Sequence, residues 1–156
     1  AGSIEKILAV EKPDIVLHLG DHASDLSRAA MPKSVKSAFT VSGNCDFGGP
    51  PERLVTLRDA ADASGKEASF LILMMHGHTA GVKSGNARAV EKALAAGADA
   101  LFFGHTHVPL LEYSRGLLVL NPGSSKKRFP PDERIATYGL ITLENGVLKP
   151  DIRPVP

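Results

Sequence analysis

The sequence predicts an α/β fold, and two observations carry that expectation. Through the first two thirds of the chain, short apolar runs ending in Gly and a polar residue alternate with helix-like segments. The last third changes to apolar-polar alternation joined by turn dipeptides. Together they imply a largely parallel sheet with antiparallel strands added to it.

The elements follow in order. "SIEKILAVEKPD" (3–14) reads as a helix with Ser3 as its cap, an apolar side of Ile4, Ile7, Leu8 and Val10, and Pro13 as its stop. "DIVLHLGD" (14–21), "SAFTVSGN" (37–44) and "SFLILMMHG" (69–77) read as buried strands. "NARAVEKALAAGAD" (86–99) reads as a helix capped by Asn86 and closed at Gly97, and "ALFFG" (100–104) as a fourth strand. Segment 109–123 reads as a hairpin turning at Ser114–Gly116, and 137–152 as another turning at Asn145–Gly146. The polar, proline-containing stretch 123–133 reads as a surface loop.

A chain of 156 residues is long enough for one domain with a real core, and no linker or repeat divides residues 1–156. Its net charge of +1 gives no bulk electrostatic case for nucleic acid or an anionic membrane. A single cysteine, Cys45, rules out an intrachain disulfide and argues against a structural zinc cluster. No apolar run approaches the roughly 20 residues of a membrane span, and no signal peptide is visible. A cytoplasmic protein is the expectation.

The chemistry collects where the strands end. The four apolar runs close in "LGD" (19–21), "SGNCD" (42–46), "HGH" (76–78) and "GHTH" (104–107). In open α/β sheets, the carboxyl ends of strands form the ligand crevice. Asp21, Asn44, His76, His105 and His107 would therefore share a rim, with His105 and His107 pointing the same way on an extended chain. A carboxylate, an amide oxygen and three imidazoles suit Mn, Fe, Ni, Co or Zn better than the all-oxygen ions Mg and Ca. An aspartate can bridge two ions, and adjacent histidines can serve different ions of a pair about 4 Å apart. His18 reads as an ordinary strand position and His22 as a loop position.

The order GD…GNxD…HGH…GHTH, closed by "NPGS" (121–124), resembles the calcineurin-like metallophosphoesterases, and more closely the small prokaryotic phosphodiesterases of the YfcE type. That resemblance runs from Pro13 to about Leu148. It implies a four-layer αββα sandwich of two mixed β-sheets around a dinuclear site with two divalent transition ions, manganese first. It also implies hydrolysis of a small phosphoester by metal-bound hydroxide, and allows a homo-oligomer, dimer or tetramer. Carried over by position, Asp21 would bridge the ions, Asn44, His76 and His105 would complete one site, and His107 would belong to the other. Asn44 would also face the phosphate.

Two departures from the family pattern stand out. The family opens with a strand ending in Asp-x-His, which feeds the second ion. No such motif stands in this sequence; the expectation is a strand and an Asp-x-His motif ahead of Ala1. Larger members carry a histidine acid after "GN", where this chain has Cys45. A thiol is a poor acid for an alkoxide, so His78 becomes the candidate for that role. The "KSG" (83–85) and "SSKKR" (124–128) cations could reach a phosphate, but a solvated face is the preferred reading. The rival to an enzyme is a protein-binding scaffold with a decayed metal site, like the vacuolar-sorting subunit of retromer; three standing histidines argue against decay.

Overall fold

The computed structural model describes residues 2–59, 65, 67–126 and 135–156. Its elements, in order, are α1 (Gly2–Glu11), β1 (Ile15–His18), α2 (Ser24–Arg28), β2 (Ser37–Thr40), β3 (Glu52–Arg58), β4 (Ser69–Met75), a 3₁₀ turn (Val82–Ser84), α3 (Ala87–Ala95), β5 (Ala100–Phe103), β6 (Leu110–Ser114), β7 (Leu117–Asn121), β8 (Thr137–Glu144) and β9 (Val147–Pro154). The result is a mixed α/β fold. A five-stranded sheet has the order β3-β4-β5-β7-β6, and two strand pairs, β1-β2 and β8-β9, accompany it. β4, β5 and β7 run parallel, as does β1 with β2, while β3, β6 and the β8-β9 hairpin are antiparallel additions.

Side-chain alternation along the five-stranded sheet builds two cores. One face sends Leu73, Met75, Leu101, Phe103 and Val119 against Val82, Ala89, Val90 and Ala93. The small side chains of α3 let that helix lie close to the sheet. The other face sends Ile72, Met74, Phe102 and Leu120 against Ile15, Leu17 and Phe39 of the first pair and Ile141 and Ile152 of the second. Tyr138 and Arg153 project from the far side of β8-β9, where the Tyr138 hydroxyl and an Arg153 N–H (3.0 Å) both donate to Glu11 of α1. The layers therefore run α3, five-stranded sheet, strand pairs, α1. In place of one continuous second mixed sheet, the described residues form two separate pairs, β1-β2 parallel and β8-β9 antiparallel.

Local chemistry sets the boundaries. The α3 end is a Schellman motif: Ala98 N–H donates to Ala93 O and Gly97 N–H to Leu94 O, both at 3.0 Å, with Gly97 at φ +68°. Both hairpins turn on two left-handed residues, Arg115–Gly116 and Asn145–Gly146. Asn86 does not cap α3: its amide instead donates to Glu112 Oε1 at 3.2 Å. Ser3 lies inside the first turn of α1 rather than ahead of it. β1 and β2 stop at His18 and Thr40, short of the expected ends, because the chain must turn there to form the site. Two unanticipated elements are α2 and β3. In β3, Val55 and Leu57 alternate with exposed neighbours, a period-two pattern legible in "ERLVTLR". Residues 127–134, most of the expected surface loop, lie outside the described residues.

Leu101 is fully buried between β5 and α3. Leu101→Ala should cost about 2–5 kcal/mol through lost burial and a residual cavity. Tyr113→Ala, on an exposed position of β6, should stay within about 0.5 kcal/mol. Urea unfolding of both variants beside the parent checks the contrast.

Candidate metal centre

The four strand ends meet at one imidazole. His76 follows β4, is only 1% exposed, and sits where the β1-β2 pair abuts the five-stranded sheet. Its Nδ1 lies 2.8 Å from Leu19 O, beyond the end of β1. A carbonyl only accepts, so Nδ1 carries the hydrogen and Nε2 keeps its lone pair. That lone pair faces Asn44 Oδ1 at 3.2 Å, His105 Nδ1 at 3.1 Å and Asp21 Oδ1 at 3.4 Å. Each of those atoms can offer a lone pair of its own. Such convergence on one spot calls for a cation between them. The ligand atoms of Asp21, His76 and His105 all lie within 4.8 Å of one another. The residues thus fit a divalent transition ion, with an O/N donor set.

Glycines make this approach feasible. A Cβ on Gly20 (φ +88°) would stand 2.8 Å from His76 Nδ1, and one on Gly43 would stand 2.1 Å from Asp21 Oδ1. The neighbouring functional residues adopt left-handed backbone themselves: Asp21 at φ +58°, His22 at +59°, His105 at +66° and His107 at +58°. Such strain persists only where the surroundings impose it. The expectation that His105 and His107 share one side of an extended strand is therefore corrected. β5 ends at Phe103, and Thr106 N–H donates back to Gly104 O at 2.8 Å, turning the chain. His107 is half-buried and lies outside the close Asp21–His76–His105 group.

Two residues hold these turns, and the sequence reading assigned neither to the site. Asp46 accepts from Gly43 N–H (2.8 Å) with one oxygen and from Ala23 N–H (2.9 Å) with the other, tying the loop after β1 to the loop after β2. Burial works to raise its carboxyl, but backbone N–H donors from Gly43, Ala23 and Asp21 hold it below its ordinary range. Asn121, fully buried at the end of β7, donates to Gly104 O and Thr106 Oγ1, both at 2.9 Å, and accepts from Gly123 N–H at 2.9 Å. It fixes the loop that presents His105. The signal was present in "GNCD" and "NPGS" as motifs, but burial alone reveals the task.

His78 has its ring centroid 5.2 Å from that of His76 and 6.1 Å from that of His105, and its Nδ1 is buried without a hydrogen-bond partner among the described residues. Cys45 is exposed; the adjacent Asp21 charge, then partial desolvation, push its thiol up, so it stays protonated at neutral pH. Its backbone N–H donates to Asp21 Oδ1 at 3.0 Å. Burial lowers His105, assisted by Lys83 and His76, and Asp21 opposes this. Burial also lowers His18, against the raising influence of Asp46, Asp25 and Asp21. Lys126 pairs with Asp25 at 2.5 Å; Lys127 and Arg128 lie outside the described residues. No helix among the described residues is long and apolar enough to cross a membrane.

Comparison with known proteins bears on this geometry. The family model of the calcineurin-like phosphoesterase superfamily domain matches residues 3–146. The probable metallophosphoesterase YsnB of Bacillus subtilis is 36% identical over 134 residues, covering 85% of this chain and 70% of that protein. A conserved protein of Streptococcus pneumoniae, described as a phosphoesterase by prediction, superposes with a TM-score of 0.68 at 23% identity, over 97% of this chain and 81% of its own. Vacuolar Protein Sorting 29 of Cryptosporidium parvum gives 0.68 at 19% identity, over 98% of this chain and 87% of its own. At such identities the solved structures speak to the fold alone.

Two outcomes follow. Asn121→Asp keeps an acceptor for Gly123 but loses the donors to Gly104 and Thr106; metal affinity by calorimetry should fall about 10- to 100-fold while circular dichroism stays native. The second concerns pH in the metal-free protein. With His18 and His105 lowered, the unfolded chain takes up protons before the folded one as pH falls through the ordinary histidine range. Resistance to urea should therefore decline from about pH 7 to about pH 5, above the carboxylate range, and His18→Gln should flatten that decline.

Proposed function

Because this chain belongs to the calcineurin-like phosphoesterase superfamily, we propose that it is a metal-dependent phosphodiesterase acting on a small phosphoester at a dinuclear site. The observation that carries this reading is the lone pair of His76 Nε2 facing Asn44 Oδ1, Asp21 Oδ1 and His105 Nδ1 within 3.4 Å. One ion would be held by Asp21, Asn44, His76 and His105. Asp21 would bridge to a second ion beside His107. Manganese is the first choice for both positions, with Ni, Fe, Co and Zn compatible. When bound, such ions neutralise phosphoryl charge and acidify water to a pKa of about 7.

The chain's own residues do the rest. Asn44 presents its amide to the phosphoryl group, placed by the Gly43–Asp46 turn. Asp46 and Asn121 keep the donor loops from relaxing, so no reorganisation is needed during reaction. Cys45 stands where larger members of the family carry a histidine acid, and a thiol is a poor acid for an alkoxide leaving group. In-line displacement then leaves protonation of the departing oxygen to His78, whose ring centroid lies 5.2 Å from that of His76. A scaffold of the same fold is the weaker reading, because it has no use for four convergent donors.

The protein loaded with Mn²⁺ should hydrolyse bis-p-nitrophenyl phosphate, and a chelator should abolish the reaction. His105→Ala should weaken one metal equivalent and Asp21→Ala both. The rate should depend steeply on leaving-group pKa, nitrophenolate far outrunning an alkoxide. Cys45→His should narrow that gap by about 10²-fold through an added general acid. Metal-loaded protein that hydrolyses no aryl phosphoester, yet binds a protein through this face, would overturn the reading in favour of a scaffold. Two metal equivalents surviving in Asp21→Ala would refute the bridging role.

A further inference from the structure

Lys83 reads from the sequence as part of a solvated face, but its surroundings set it apart. Lys36, Lys92, Lys126 and Lys149 each pair with a carboxylate. No carboxylate pairs with Lys83 among the described residues. Its side chain is exposed, yet its charge reaches the metal centre. After burial of the ring, the Lys83 ammonium is the strongest influence lowering His105, ahead of His76. Such an influence requires the two groups to be near neighbours, since water and salt screen a distant charge.

The backbone beneath Lys83 is fixed to the loop that carries His76. Val82, only 5% exposed, packs against Gly77, where an added Cβ would stand 2.7 Å from Val82 Cγ2. Val82 N–H donates to Gly77 O at 3.3 Å, and Gly81 N–H to His78 O at 3.4 Å. Ser84 N–H closes the 3₁₀ turn on Gly81 O at 2.9 Å. Gly77 joins His76 to His78, so the segment that delivers the buried imidazole also delivers Lys83. A flexible four-carbon stem then carries one point charge from a fixed root.

That placement is unfavourable for the metal centre by itself. A divalent ion on Asp21, His76 and His105 and an ammonium nearby are like charges, and each disfavours the other. An anion bound to the ion removes the conflict, because both cations attract it.

We propose that Lys83 is a substrate-binding residue whose ammonium holds a phosphoryl oxygen of the substrate at this metal centre. The proposal rests on the phosphoesterase reading above and adds a residue to it. Lysine binds phosphate as a point charge, without the fixed fork of arginine.

The test uses Mn²⁺-loaded protein, with inorganic phosphate as the probe in calorimetry and bis-p-nitrophenyl phosphate in kinetics. Lys83→Gln should weaken phosphate binding about tenfold or more, the loss expected of one charge-assisted hydrogen bond. KM for the diester should rise in parallel, and the difference from the parent should shrink at about 1 M salt. Lys83→Arg should retain most of the affinity. Mn²⁺ affinity is the control: Lys83→Gln should leave it unchanged or tighten it, since a like charge is removed. Because Lys83 is exposed, circular dichroism should stay native. Mn²⁺ affinity that falls together with phosphate affinity assigns Lys83 to support of the metal loop and overturns the proposal. Phosphate affinity and KM indifferent to Lys83→Gln also overturn it, while leaving the phosphoesterase reading intact. A parent that hydrolyses no phosphoester overturns that reading, whereas phosphate affinity that depends on Lys83 still sustains the contact.

Discussion

The buried imidazole of His76 is the constraint on which the site depends. A polar ring in a dry junction must find partners, or it costs the fold. His76 finds one in Leu19 O, which joins the strand pair β1-β2 to the five-stranded sheet through a single directional bond. That bond also fixes the tautomer, and so decides which nitrogen faces Asn44, His105 and Asp21. Packing of the two layers and readiness for a metal are one geometric event. The apolar core behind the junction, with Ile72, Met74 and Phe102 on one side and Leu17 and Phe39 on the other, sets the distance across which this bond spans.

The same constraint explains the unusual backbone. To bring donors from two layers onto one point, the chain must leave each strand abruptly, and it does so through left-handed Asp21, His22, His105 and His107. Each such residue is strained relative to an extended or helical one. The strain is held on one side by the Asp46 carboxylate and on the other by the Asn121 amide, both saturated with backbone or hydroxyl partners. These two residues touch no substrate in the proposed chemistry, yet the functional donors would drift without them.

Much of this was legible in the sequence, and the rest was hidden for identifiable reasons. The parallel core and both hairpins follow from apolar runs and from the turn signals at Ser114–Gly116 and Asn145–Gly146, because period and turn chemistry are local. Asp21, Asn44, His76 and His105 were readable as a set because each closes a strand. The strand ends were read too long, since a run such as "DIVLHLGD" gives no sign of where a distant histidine will demand a turn. Asn86 was misread as a cap because its competing partner, Glu112, lies far along the chain. Asp46 and Asn121 escaped for a similar reason: their roles lie in the loops they join, and only the folded chain brings those loops together.

Fold likeness alone does not decide between enzyme and scaffold, for one architecture is shared by a Streptococcus pneumoniae protein described as a phosphoesterase by prediction and by Vacuolar Protein Sorting 29. The decision rests on whether the donors still converge. A surface that only bound protein would gain nothing from lone pairs held face to face at 3.1–3.4 Å. Either a cation or a shared proton must stand between these atoms, and an oxygen and nitrogen donor set on one point suits a metal ion. Its persistence alongside two residues devoted to holding the donor loops is what a metal centre requires. Protein binding elsewhere on the same surface would explain neither the convergence of these donors nor its supports.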